Sequence, residues 1–277
     1  MTFELKSFEF DRINMAYVDE GLERGRGECL VFLHGFPLSH AMWSSQIDAF
    51  AKTHRVIVPD LRGHGGSTVT EGTVTMRDMA DDVAKLLSAL DVKSPITLCG
   101  LSMGGYVAWE FWRSHRELLG RLILCDTRAV ADTEEVARGR HMMAAQVIDA
   151  GAQMAADSMP SKLLGEQAKA QPELVESVRS MILETDPQGI AATQRGMSQR
   201  TDMTSQLAKV EVPTLVLCGA EDVISPPEEM QQFASAMPNA TFVKIANAGH
   251  LAPLEQPSAT NDAIRSFLGT HDEEGGH

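Results

Sequence analysis

A chain of 277 residues carrying a formal charge of −14 is a poor candidate for a nucleic-acid partner, because the phosphate backbone repels such a surface. No apolar run reaches the 18 residues a membrane-spanning helix needs, and the opening Met1-Thr2-Phe3-Glu4-Leu5-Lys6 lacks a basic segment followed by an apolar one. A cytoplasmic protein acting without a membrane is therefore expected.

Taken in chain order, 3–11 and 13–19 alternate apolar and polar residues, which predicts an antiparallel hairpin. Cys29–Leu33 is a continuous apolar strand that runs into His34-Gly35-Phe36-Pro37. Arg55–Pro59 is a second such strand, followed by Asp60-Leu61-Arg62-Gly63-His64-Gly65. Met76, Met79, Val83, Leu86, Leu87 and Leu90 recur at helical spacing and mark one face of an amphipathic helix. Ile96–Cys99 reads as a buried strand, Gly100-Leu101-Ser102-Met103-Gly104 as a tight turn, and Gly105 to Phe111 as a helix opening straight from it. Further strands are predicted at 122–125, 214–218 and 241–245. Strand alternating with helix specifies a mostly parallel, doubly wound sheet with helices on both faces.

One interval breaks the alternation. Residues 128–207 are rich in strong helix formers and contain no strand-like run. They hold seven of the fifteen methionines (Met142, Met143, Met154, Met159, Met181, Met197 and Met203) and no aromatic residue. An inserted helical cap is expected here, with most of these methionines fixing it to the core and the rest lining a permissive pocket. Arg128 and His141 are candidates to steer a polar substrate end, but read more simply as solvated helix residues. Past it, Ser225-Pro226-Pro227-Glu228 has the form of a capping box with proline at the first helical position. The four cysteines all fall in predicted strands and read as small buried hydrophobes, not as metal ligands or a disulfide framework.

Three residues at strand ends carry the chemistry. Strand, G-x-S-x-G and helix together make a nucleophile elbow, with Ser102 raised on a strained turn at a helix N-terminus. A serine hydroxyl is protonated at neutral pH and needs a base, and the imidazole that serves it needs a carboxylate to fix its tautomer. His250 follows the strand at 241–245, and Asp222 follows the strand at 214–218. Asp126, after the strand at 122–125, is a rival for the acid. Asp222 stands in the Gly219-Ala220-Glu221-Asp222 turn, and the choice between the two rests on the resemblance that follows.

His34-Gly35-Phe36-Pro37, Asp60–Gly65, Gly100–Gly105, Gly219–Asp222 and Gly249-His250 together resemble the α/β-hydrolase family, over nearly the whole chain. Cys99–Gly105 and Leu124-Cys125-Asp126-Thr127 resemble its small-esterase and enol-lactonase branch. The resemblance implies the α/β-hydrolase fold, with residues 1–127 and 208–277 as core and 128–207 as helical cap. It implies Ser102, Asp222 and His250 as the catalytic residues, in the chain order of this family. It further implies an oxyanion hole made by the backbone N–H groups of Phe36 and Met103, with His34, Asp60 and His64 in structural roles. The expected reaction is hydrolysis of a small-molecule ester or lactone through an acyl-serine, with no cofactor and no metal. A C–C bond hydrolase and a cofactor-free perhydrolase share the same residues and stand as alternatives, and a non-enzymatic binding protein as a third reading.

Overall fold

The sheet grows outward from strands whose side chains are buried on both faces. The computed structural model describes residues 3–22, 28–93 and 95–269. β1 (Lys6–Phe10) and β2 (Ile13–Gly21) form the antiparallel hairpin, turned by Asp11 and Arg12, both at positive φ. β2 pairs antiparallel with β4 (Arg55–Pro59). From there β3 (Cys29–Leu33), β5 (Ile96–Leu101), β6 (Leu119–Cys125), β7 (Thr214–Gly219) and β8 (Ala240–Ile245) run parallel to β4. The resulting eight-stranded order is β1-β2-β4-β3-β5-β6-β7-β8.

Helices cover both faces, which is why the central strands read as unbroken apolar runs. Successive residues of β3 show it: Val31 and Leu33 enter one core, Leu30 and Phe32 the other. The first core takes α2 (Met76–Ala89) and α3 (Met103–His115), and the second takes α1 (Ser44–Phe50). Thr75 caps α2 through its side chain, which accepts from the Asp78 N–H at 3.1 Å, while Asp78 accepts from the Thr75 N–H at 2.8 Å. All four cysteines are buried free thiols in the strands.

Between β6 and β7 the described chain forms α4 (Glu134–Ala150), α5 (Gln153–Ser158), α6 (Pro160–Leu163), α7 (Glu166–Lys169), α8 (Pro172–Leu183) and α9 (Pro187–Met197), with no strand. Met197 and Met203 are buried in the first core and Met181 in the second, while Met143, Met154 and Met159 pack against them half-buried. Met142 alone of the seven is 62% exposed. The described residues close with α10 (Pro227–Ser235), α11 (Ala252–Glu255) and α12 (Pro257–Leu268).

One local expectation fails. α10 begins at Pro227 after Pro226, and Ser225 does not cap it. The Ser225 hydroxyl instead donates to the Asp126 carbonyl at 3.2 Å, in the buried space between β6 and β7. The Ser225 hydroxyl takes a buried acceptor at the sheet edge, and the two residues that follow it, Pro226 and Pro227, have no N–H for it to cap.

Candidate active site

Sharpness of the β5–α3 turn determines where the serine points. Ser102 has φ 52° and ψ −109°, a conformation that L-residues avoid and that only surrounding structure can hold. Its backbone is gripped on both sides: the Ser102 N–H donates to the Cys125 carbonyl at 2.9 Å, and the Thr127 hydroxyl donates to the Ser102 carbonyl at 2.7 Å. Glycine is required around it. A Cβ on Gly100 would stand 2.2 Å from the Gly104 carbonyl oxygen, and one on Gly104 would stand 2.3 Å from that of Leu33. β5 and α3 therefore approach more closely than any side chain permits.

The three residues singled out at strand ends meet. His250 Nε2 lies 2.8 Å from Ser102 Oγ, and His250 Nδ1 lies 2.8 Å from Asp222 Oδ2. Asp222 Oδ1 accepts from the N–H groups of Ile224 at 2.8 Å and Ser225 at 3.0 Å, so the carboxylate is held at both oxygens. Asp222 and His250 are each 3% exposed, and Ser102 is half-buried. With Asp222 accepting, Nδ1 carries the ring proton and Nε2 is left as the acceptor facing the hydroxyl.

Asp126 sits beside this chain without joining it. Its Oδ1 accepts from the Gly219 N–H at 2.7 Å, and its Oδ2 is buried without a partner among the described residues. Burial first, and the Asp222 charge second, push its carboxyl well above the usual carboxylate range. Asp126, Cys218 and Asp222 offer ligand atoms within 4.8 Å of one another. They suit a metal badly: the Cys218 thiol donates to the carbonyls of Gly219 and Ser225, each at 3.3 Å, as a protonated S–H does. Asp222 is already engaged by His250.

Phe36, buried on the β3 loop, and Met103, the first residue of α3, have backbone N–H groups that donate to no other described residue. Gly35 brings the two loops together, since a Cβ there would meet Leu101 Cδ2 at 2.6 Å and Ser102 Cβ at 3.6 Å. His34 is fully buried beneath, donating from Nδ1 to the Gly35 carbonyl and accepting at Nε2 from the Leu61 N–H, each at 2.9 Å. Burial lowers its imidazole, and it takes the neighbouring His64 down to about 3. Asp60 accepts from the N–H groups of His40 at 2.7 Å and Gly66 at 2.9 Å, which pins the 60–66 turn. Arg128 lies in the loop before α4 and pairs with Glu229 at 2.6 Å, so it is not the solvated helix residue expected, while His141 on α4 meets the Ser198 hydroxyl at 3.2 Å.

Two residues escaped the sequence reading. The Leu163 carbonyl accepts from the His250 N–H at 2.9 Å, and Glu255 accepts from the N–H groups of Gly249 and Leu251. Glu255 left a faint trace, as a carboxylate placed five residues after a loop histidine among apolar neighbours. Leu163 left none, because a backbone carbonyl has no side-chain signature.

A family profile described as the alpha/beta hydrolase fold matches residues 28–257. The chain belongs to that family. It is a hydrolase of the esterase and enol-lactonase branch. It is 32% identical over 251 residues to the AB hydrolase superfamily protein YisY of Bacillus subtilis, covering 88% of this chain and 92% of that one. It is 27% identical over 240 residues to 3-oxoadipate enol-lactonase 2 of Acinetobacter baylyi, covering 86% and 88%. Among solved structures, a thermophilic esterase from Thermogutta terrifontis superposes with a TM-score of 0.91 at 43% identity, covering 96% of this chain and 98% of that one. No helix among the described residues is long and apolar enough to cross a membrane.

Proposed function

We propose that this hydrolase cleaves carboxylic esters or lactones of small to medium size through an acyl-Ser102 intermediate. The observation that carries the reading is the Asp222–His250–Ser102 hydrogen-bonded chain, 2.8 Å at each link, ending on a strained elbow. His250 Nε2 takes the Ser102 proton as Oγ attacks the carbonyl carbon, and Asp222 stabilises the imidazolium that forms. The oxyanion lies against the N–H groups of Phe36 and Met103, each worth about 3–4 kcal/mol of barrier in sites of this type. His250 then returns the proton to the leaving alcohol, and for a lactone that alcohol remains tethered to the acyl group. Water, activated by the same imidazole, releases the acid.

Residues 128–207 act in this reading as a cap over the site. Their methionines serve mainly as attachment to the two cores, which leaves a pocket shaped by aliphatic surface without aromatic stacking from the cap. The similarity to an esterase and to an enol-lactonase supports the substrate class.

The test is a panel of p-nitrophenyl esters run beside aliphatic lactones, a diketone and a peroxide-dependent assay, on the native enzyme and on Ser102→Ala. Ester or lactone turnover that falls about 10⁶-fold in Ser102→Ala is expected. Diketone cleavage with no ester turnover would replace this reading by a C–C hydrolase, and brisk peracid formation would replace it by a perhydrolase.

A further inference from the structure

At the tip of the His250 loop, three successive backbone N–H groups are all engaged. Gly249 and Leu251 donate to Glu255 Oε1 at 2.9 and 3.1 Å, and between them His250 donates to the Leu163 carbonyl at 2.9 Å. The other oxygen, Glu255 Oε2, accepts from the Gly165 N–H at 2.8 Å. One buried carboxylate therefore joins the base's loop to the turn between α6 and α7. That turn also reaches the acid's loop, where the Glu166 N–H donates to Glu221 Oε2 at 2.7 Å.

There is no slack in this junction. A Cβ on Gly165 would stand 2.7 Å from Glu221 Oε2 and 2.8 Å from the Gly249 nitrogen, and one on Gly249 would stand 2.4 Å from the Gly165 nitrogen. Local helix capping does not account for Glu255. Capping α11 needs only the Leu251 N–H, whereas Gly249 and Gly165 lie outside that helix. Desolvating a carboxylate is unfavourable, and burial pushes Glu255 above its usual value while the three N–H donors work against it. A carboxylate is retained where apolar packing would be less demanding, and what it adds is the position of three N–H groups.

We infer that Glu255 is a positioning residue, which together with the 163–166 turn fixes the backbone of His250 so that Nε2 meets Ser102 Oγ. The inserted segment is in consequence part of the reacting assembly and not a detachable lid. The inference rests on the Ser102–His250–Asp222 reading above.

The test measures kcat, KM and the rate at which a fluorophosphonate labels Ser102, in the native enzyme, Glu255→Ala, Glu255→Gln and Gly165→Ala. All are assayed at a temperature where circular dichroism shows each variant folded. Displacing a catalytic group by about 1 Å costs about a hundredfold, so kcat and labelling in Glu255→Ala should fall by that order with KM within about threefold. Glu255→Gln should fall between, because its amide keeps an oxygen for Gly249 and Leu251 but can turn a donor against the Gly165 N–H. Gly165→Ala should reproduce the loss from the side of the insertion. Native rates in folded Glu255→Ala overturn the inference, whatever happens to its melting temperature. If that variant does not fold, native rates in both Glu255→Gln and Gly165→Ala overturn it equally. A native enzyme that the probe does not label at Ser102 defeats the underlying reading itself, whereas a labelled enzyme with unaffected variants defeats only the clamp.

Discussion

Asp126 and Asp222 face each other from the ends of adjacent strands, with carboxylate oxygens within 4.8 Å, yet only Asp222 holds His250. Their environments separate them. Asp222 receives two backbone N–H groups and the imidazole, while Asp126 receives one N–H and keeps an oxygen with no partner. Replacing an ionised carboxylate that fixes a tautomer costs about 10⁴ in kcat, so Asp222→Asn should lose about that much. Asp126 bonds neither His250 nor Ser102, and burial and the Asp222 charge hold its carboxyl above the usual carboxylate range. Asp126→Asn should lose less than about tenfold. Steady-state kinetics of the two variants on one ester decide the matter, and the reverse ranking would move the acid to β6.

Acyl chain length tests the pocket. Each CH₂ that is buried should add up to about 0.8 kcal/mol of transition-state binding, or about fourfold in kcat/KM. For p-nitrophenyl esters kcat/KM should rise from acetate, peak at butyrate or hexanoate, and fall sharply by dodecanoate. An optimum at dodecanoate or beyond would contradict a closed cap.

His40 and Asp60 make stability depend on pH. Burial alone would lower the His40 imidazole, but the Asp60 hydrogen bond at 2.8 Å and its charge outweigh burial and raise it above 6.5. A base whose folded value is raised contributes stability fully below its unfolded value, and that contribution fades as pH rises through the folded one. The stability difference between the native protein and His40→Gln, from denaturant melts, should be largest near pH 6 or below. It should shrink as pH rises above that range. A difference that grows with pH would mean that the imidazole is neutral in the pair.

The thiols should be silent in the folded protein. Burial pushes Cys29 up to about 12 and Cys125 and Cys218 well above their ordinary value, and the thiolate is the reactive form. Ellman's reagent should titrate none of the four cysteines in native buffer and all four in guanidinium. Rapid reaction of one thiol in the native state would show that a strand of the central sheet opens.

What the sequence made legible follows from period and punctuation. β3 and β4 have the bounds read from Cys29–Leu33 and Arg55–Pro59, because doubly buried parallel strands are short apolar runs between turn residues. Ser102 was legible because it closes such a run, and Asp222 and His250 because each sits in a Gly-containing turn within five residues of a strand end. The division of the insertion into six helices was not, since a helix-rich composition sets no boundaries between α5, α6 and α7. Ser225 misled because capping-box spacing is local, whereas the acceptor it found lies 99 residues away in sequence. Glu255 was passed over for the same reason: its partner Gly165 is 90 residues distant, and no pattern of spacing records such a meeting.

The Ser102–His250 hydrogen bond spans 148 residues, and the whole insertion is synthesised between its two ends. During translation, β3, β5 and the elbow leave the ribosome long before β8, so the nascent chain holds Ser102 before His250 exists to meet it. Contacts of such sequence separation form late, after loop closure has been met by other interactions. On the proposed reading, hydrolytic competence therefore comes only when β8 and the His250 loop dock beside the elbow, so a chain that stalls earlier holds Ser102 without its base.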